Sequence, residues 1–296
     1  MSGSAGRFVD HVVMPVAGLA SARALFEGLG FTVAPDAAHP FGTGNACVFL
    51  ADGIYIEPLA VLDRDLAESE AVQGNAFLRR DVAYRLRHAL PGFSGVALRS
   101  DDAEADNQAF RAASFEAGDI LEFGRRFETP DGEARDLRFR LAFAGERHAP
   151  ETFVFSCQRL FDAAPDRGAL TAHANGVSGL QRLVYSAMEP EATRPFLETV
   201  LGSSAVVANS YGFSLTIGNA VVEVLGPDGL AARYGEARGD AAGLRFVGLV
   251  LETADMERVR PLAAAAGLQA VDILGRLVVH MPEPSAAFLA FETAVR

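Results

Sequence analysis

The sequence predicts an α+β protein of four βαβββ modules that pair into two domains. Three observations lead there. First, two distant stretches repeat one pattern: an apolar strand (His11-Val-Val-Met; Arg182-Leu-Val-Tyr), an amphipathic run ending in glycine (Gly-Leu-Gly30; Val-Leu-Gly202), and a hairpin closing on Ile54-Tyr-Ile-Glu57 or Ala220-Val-Val-Glu223. Such a repeat constrains architecture before any single residue is weighed. Second, the same order of strand, helix and three strands follows each copy. Third, half of the 296 residues are hydrophobic, enough for two well-buried cores.

Residues 8–16 are valine-rich and apolar, as a buried strand should be. Helical spacing follows, with Leu19, Ala22, Phe26 and Leu29 in one stripe; Gly28 and Gly30 mark its end. Residues 31–35, 45–51 and 54–60 read as strands, the last two joined by the hairpin signal Asp52-Gly53. In the second module 95–100 is a strand and 102–117 a helix with acidic residues at its N-terminus. Strands 120–128 and 135–143 flank the turn Thr129-Pro-Asp-Gly132, and 152–158 closes the module. The third module runs over 180–225, with Gly218-Asn219 as its hairpin turn. The fourth opens with a strand at 247–253, continues as a helix to Gly267, and closes with strands at 268–273, 277–281 and 286–292. Pro195 and Pro261 fall inside helical runs, so those helices are expected to start late or kink. Residues 61–92 form a charged insertion, helical through 75–90, while 161–179 reads as the interdomain linker and 226–243 as a similar link. The domains are accordingly set at 1–165 and 175–296.

Lysine and arginine number 26 against 38 aspartates and glutamates, a net charge of −12, which makes nucleic acid a poor partner. The first seven residues lack the apolar core of a signal peptide, and no apolar run is long enough to span a bilayer. Cys47 and Cys157 sit in apolar strand-like runs and read as reduced, buried thiols. The expectation is a cytoplasmic globular protein. Its expected partners are a small-molecule ligand and at most a second copy of itself as a homodimer, with no nucleic acid and no membrane.

Tandem βαβββ modules with a histidine on the first strand and a glutamate on the fourth resemble the vicinal-oxygen-chelate superfamily, and most closely its glyoxalase-like domain family. The residues carrying the resemblance are Asp10-His11-Val12-Val13, His39-Pro-Phe-Gly-Thr-Gly-Asn45 and Tyr55-Ile-Glu57, with His173-Ala-Asn-Gly176 a weaker echo. It implies two glyoxalase-like domains whose curled mixed sheets form cups, with a divalent metal in a cup on ligands from first and fourth strands. The chemistry it implies is lyase, isomerase or dioxygenase action on a small oxygenated metabolite. Its bleomycin-resistance members offer the alternative of a metal-free binding protein.

Histidine and glutamate supply the nitrogen and oxygen donors that Zn, Mn, Ni or Fe prefer, and strand alternation lets one inward residue per strand reach the cup. His11, Glu57 and Cys157 are the metal ligands expected, with Glu57 also the catalytic group. A carboxylate between Ile56 and Pro58 is costly to bury without a cation or a donor. Plainer roles compete: His11 as an interface histidine and Cys157 as a structural thiol. The glycine-shaped 39–45 loop puts forward His39 and Asn45 as substrate-binding residues, against turn formation and loop capping. The second module offers no ligand on its first strand, where Gly95, Val96, Ala97 and Leu98 stand. In the third, Arg182 takes the place of His11 and reads as an ion-pair partner of Glu223, so the second site is expected to be degenerate. Arg138 and Arg140 share a face, either to meet an anion or, the preferred reading, to cover a solvated sheet; Arg125-Arg126 lie on the strand before them.

Overall fold

A computed structural model describes residues 6–128, 134–147, 152–161, 167–236 and 243–293. The expected turn at 129–132 and His148 lie outside them. The first half comprises β1 (Val9–Pro15), α1 (Leu19–Gly28), β2 (Ala37–Ala38), β3 (Thr43–Asn45), β4 (Val48–Phe49), β5 (Tyr55–Val61), α2 (Arg64–Val72), α3 (Ala76–Arg87), β6 (Gly95–Ser100), α4 (Ala103–Ala112), β7 (Leu121–Glu128), β8 (Ala134–Gly145) and β9 (Phe153–Arg159). Its strands form one curled mixed sheet in the order β2-β3-β5-β1-β6-β9-β8-β7, with β4 also on β5. The second half comprises β10 (Val177–Ser186), α5 (Pro190–Leu201), β11 (Val206–Asn209), β12 (Gly212–Ile217), β13 (Ala220–Leu225), α6 (Pro227–Tyr234), β14 (Arg245–Thr253), α7 (Val259–Ala265), β15 (Ala270–Ile273), β16 (Arg276–His280) and β17 (Phe288–Thr293). Its sheet runs β11-β12-β13-β10-β14-β17-β16-β15. In both sheets two modules join through their first strands, β1 with β6 and β10 with β14, antiparallel. The four-module α+β architecture expected from the repeat is the one observed.

Several local expectations are corrected. Residues 31–36 are irregular, so the strand expected at 31–35 is not formed, and the two-residue β2 follows after it. The cause is Arg23 on α1, whose guanidinium donates to the carbonyls of Val33 and Ala34 and to Asp36, satisfying groups that a sheet partner would otherwise take. The 45–51 strand is broken into β3 and β4. Helix α5 begins at Pro190 and passes through Pro195 rather than starting late. The 226–243 link is not plain connection: it contains α6, with Pro227 in its first turn, where a missing N–H is harmless. The 61–92 insertion carries α2 as well as the expected α3, capped by Asp63 and Asn75, which accept from the N–H groups of Leu66 and Leu78.

Three apolar clusters explain how these pieces hold. One is shared by both sheets and by the module helices α1, α4, α5 and α7, which bury Phe26, Phe110, Phe196 and Val259. Across it Phe93 meets Phe246 at 4.9 Å and Phe115 meets Phe196 at 5.1 Å between ring centroids. The 173–176 segment latches the halves together: His173 accepts from the Thr32 N–H and donates to the Phe49 carbonyl, and the Asn175 amide donates to the Leu29 carbonyl. A second cluster fills the other face of the first sheet, where Phe77 and Leu78 of α3 pack on Val13, Leu59, Ala97 and Phe155. Arg85 pins that helix by donating to Asp81 and to the carbonyls of Val16 and Leu59. The third fills the matching face of the second sheet, where Leu230 and Tyr234 of α6 pack on Val184, Val250 and Phe288. Each cup is thus roofed by a helix that the repeat does not contain.

Candidate functional site in the first sheet

Strand register makes the two cups comparable position by position. His11 lies opposite Ala97 where β1 meets β6, and Arg182 lies opposite Val250 where β10 meets β14. On the parallel partners Glu57 sits beside Val13 and Glu223 beside Val184, two residues on from His11 and Arg182. By the same offset Cys157 sits beside Arg99 and Glu292 beside Glu252. The four equivalent positions therefore hold His, Glu, Ala and Cys in the first cup, and Arg, Glu, Val and Glu in the second.

In the first cup His11 and Glu57 are both buried, and His11 Nε2 stands 3.4 Å from Glu57 Oε2. On the other edge of the imidazole, Nδ1 lies 2.8 Å from Asp10 Oδ1. Burial works against the Asp10 charge, but the hydrogen bond and charge of His11, together with Arg159, outweigh it and hold the carboxyl down at about 2. An ionised Asp10 only accepts, so Nδ1 of His11 carries a proton and Nε2 faces Glu57. Tyr55 stacks on the imidazole, centroid to centroid 4.4 Å, and fixes its plane.

A second chain of hydrogen bonds holds the other oxygen of Glu57. The Asn45 amide donates to Oε1 at 2.6 Å and lies 3.3 Å from His39 Nε2, while His39 Nδ1 lies 3.0 Å from the Thr43 hydroxyl. Burial pushes His39 down to about 4, with Glu57 opposing and Arg125 and His11 adding to the shift, so it is neutral at pH 7. The loop reaches this position through Gly42, whose φ of 86° is left-handed and whose missing Cβ would meet the Asp63 carbonyl at 2.6 Å. His39 and Asn45 are thereby brought to Glu57 rather than left as turn and cap residues.

Cys157 also lines the cavity, but burial pushes its thiol up, away from the thiolate that a metal ligand needs. Rings of Phe41, Phe77, Phe123, Phe139 and Phe155 make the rest of the wall, with Arg125 among them. The cavity volume is about 40 Å³, space for a few waters or a small polar group. Asp10, Tyr55 and Arg125 were visible in the sequence but carried no site role there, and Arg159 was not singled out. Alternation along β7 was the available signal for Arg125, since it places that residue on the same side as Phe123.

The donor set was tested against the divalent metal that the fold implies. Bond lengths near 2 Å at a tetrahedral centre put two ligands ~3.4 Å apart, and His11 Nε2 and Glu57 Oε2 have that separation. The carboxylate behind His11 is the usual support of a metal-bound imidazole. His39 faces the other oxygen, at 3.6 Å, so it does not converge with His11. Among the described residues no group of three or more His, Cys, Asp or Glu side chains is arranged to hold a metal. His11 and Glu57 fit as a pair of donors, and Cys157 is not grouped with them as a third.

In the second cup the equivalent carboxylates are taken up by arginines. Glu223 is taken by Arg233 and by the Tyr234 hydroxyl, at 2.7 Å, both from α6. Arg276 donates to Glu292 at 2.8 Å, and Arg182 lies 4.0 Å from the same carboxylate. The expected Arg182–Glu223 pair is therefore not formed, because α6 supplies Glu223 with nearer partners. Glu223 and Glu292 are thus both paired with arginines, while Arg182 Nε is buried with no hydrogen-bond partner among the described residues.

The first 201 residues decide the family. Residues 9–201, more than half of the chain, match the glyoxalase-like domain family. The chain belongs to that family. Solved structures extend the likeness of this glyoxalase-like protein to its whole length at low identity. A hypothetical protein from Staphylococcus aureus aligns with a TM-score of 0.68 and 13% identity, covering 97% of this chain and 99% of that one. A mutant of 4-hydroxymandelate synthase from Streptomyces coelicolor aligns at 0.59 and 13% identity, covering 98% and 93%. The Mn(II)-bound glyoxalase from Novosphingobium aromaticivorans aligns at 0.55 and 10%, covering 98% and 84%. These likenesses are of fold. No curated protein matches the chain. Among the described residues no helix is long and apolar enough to cross a membrane.

Proposed function

We propose that the first cup of this glyoxalase-like protein binds a small oxygenated metabolite and acts on it with the help of a divalent metal held by His11 and Glu57. The observation that carries the reading is the line Asp10–His11–Glu57, with contacts of 2.8 and 3.4 Å, buried at one end of an aromatic cavity. A ligated imidazole backed by a carboxylate is what a metal site needs, and two protein donors leave positions open for water and substrate. The likeness in fold to a Mn(II)-bound glyoxalase is consistent with it.

A divalent cation there would supply Lewis-acid stabilisation of charge developing on a substrate oxygen. The chain's own residues do the rest. Glu57 presents Oε2 to the cavity as the proton acceptor, while Asn45 holds Oε1 and so fixes the carboxylate plane. Neutral His39, itself set by Thr43, lines the cavity and holds the Asn45 amide through Nε2. The phenylalanine wall keeps water away from the transfer.

One observation favours a second reading, a metal-free binding protein: of the four register positions only His11 and Glu57 carry a good donor. Metal analysis separates the two. Protein reconstituted with Zn, Mn, Ni or Fe(II) should hold about one equivalent and lose it in His11→Ala and Glu57→Gln. Protein that stays metal-free under all four would overturn the first reading and leave the second.

A further inference from the structure

The first cup contains a guanidinium with an unmatched buried N–H among the described residues. Arg125 enters from β7 beside Phe123, and Leu137 is its neighbour on β8. Its guanidinium carbon lies 5.9 Å from the centroid of the Phe139 ring, and its Nη1 is buried with no hydrogen-bond partner among the described residues. Neighbouring arginines are occupied. Arg138 and Arg140, on the opposite face of β8, both pair with Glu122, Arg159 pairs with Asp10, and Arg85 pairs with Asp81. Glu57, the carboxylate of the same cavity, makes its close contacts with Asn45, His11 and His39 instead. A buried guanidinium N–H left unmatched is costly, and a carboxylate satisfies it better than water because its two oxygens match the guanidinium fork. Five phenylalanines and Leu141 supply most of the remaining wall, which suits an apolar body.

We infer that the ligand of the first cup is a small organic carboxylate, its anionic head on Arg125 and its apolar body among the phenylalanines. This rests on the reading of the first cup as a small-molecule site. Two carboxylates, the ligand's and Glu57's, repel each other in a buried cavity, and a divalent cation between them removes the repulsion. Carboxylate and metal therefore bind with positive coupling, each tightening the other by the same factor.

The test is calorimetric titration of formate and acetate, sized to the cavity, against methanol and ethanol, with and without Zn(II), on the wild type, Arg125→Gln and Arg125→Lys, alongside direct Zn(II) titration of each. The wild type should prefer each carboxylate over its alcohol. Arg125→Gln should lose about 10- to 100-fold in carboxylate affinity, the scale of a charge-assisted hydrogen bond, with alcohol binding unchanged. Arg125→Lys, which keeps the charge without the fork, should fall between. Zn(II) binding in the absence of carboxylate should survive in both variants, so a failure here is distinguishable from a failure of the metal reading. Equal binding of acid and alcohol, or a carboxylate preference intact in Arg125→Gln, overturns the assignment. If Arg125→Gln does not fold, Arg125→Lys decides in the same way. Absence of binding by all four compounds refutes the small-molecule reading and this one with it.

Discussion

The two cups begin from the same strand plan and dispose of buried charge in opposite ways. The second closes on itself: α6 carries Arg233 and Tyr234 to Glu223, Arg276 reaches Glu292, and Leu230 fills the apolar remainder. Among the described residues the first leaves Glu57 facing an imidazole edge and Arg125 Nη1 without a hydrogen-bond partner, and its roof, α3, brings aromatic and aliphatic side chains but no counter-charge to Glu57. The lesson is that a roofing helix decides what a cup becomes. Where it brings the missing ions the cup is a core; where it brings only phenylalanine the polar groups stay available.

The largest effect should come from exchanging roles at equivalent glutamates. Glu223→Ala leaves Arg233 and Tyr234 unmatched and should cost about 3–5 kcal/mol of stability, the scale for breaking a buried pair, with first-cup binding unchanged. Glu57→Gln keeps shape and hydrogen bonding at its site, so its stability should stay within about 1 kcal/mol of wild type, while metal affinity collapses. Chemical denaturation of both variants, beside metal titration, reads this contrast. Similar losses of stability in both would erase the distinction between the cups.

Next in size is an acid sensitivity that belongs to the first cup. Burial holds His39 at about 4, below its ordinary 6.5, so the unfolded chain takes up the proton first. The stability tied to neutral His39 is complete above pH 6.5 and is lost as pH falls from 6.5 towards 4, up to about 3 kcal/mol. Denaturation midpoints across that range should fall in the wild type and flatten in His39→Asn. An unchanged slope in the variant would remove His39 as the cause.

A smaller change tests the support of His11. Asp10→Asn should lower metal affinity about 10- to 100-fold, as loss of an outer carboxylate does. The same substitution at Asp52, which accepts from the Leu180 N–H between the halves, should leave metal affinity alone. Equal effects at both sites would mean that Asp10 acts through general stability.

Much of this was legible in the chain. The repeat, the Asp52-Gly53 and Gly218-Asn219 hairpins and the glycine that ends α1 are local signals with local causes, and they give the modules in order. His11, Glu57, His39 and Asn45 were also visible, because strand period and a glycine-shaped loop determine where such side chains point. What was not legible depends on contacts between elements. Arg23 takes two carbonyls ten and eleven residues away and so dissolves a strand that propensity favoured. Helix α6 hid in a segment rich in Gly, Asp and Ala, and with it went the true partners of Glu223. Alternation put Arg125 on one face of β7, but which face is inside follows only from the curl of the sheet.

The asymmetry of the cups is tested most directly by anomalous diffraction from crystals soaked in Mn(II). One peak is expected, within about 2–2.3 Å of His11 Nε2 and a Glu57 oxygen, with none between Glu223 and Glu292. A peak in the second cup, or none in the first at saturating metal, would contradict the account.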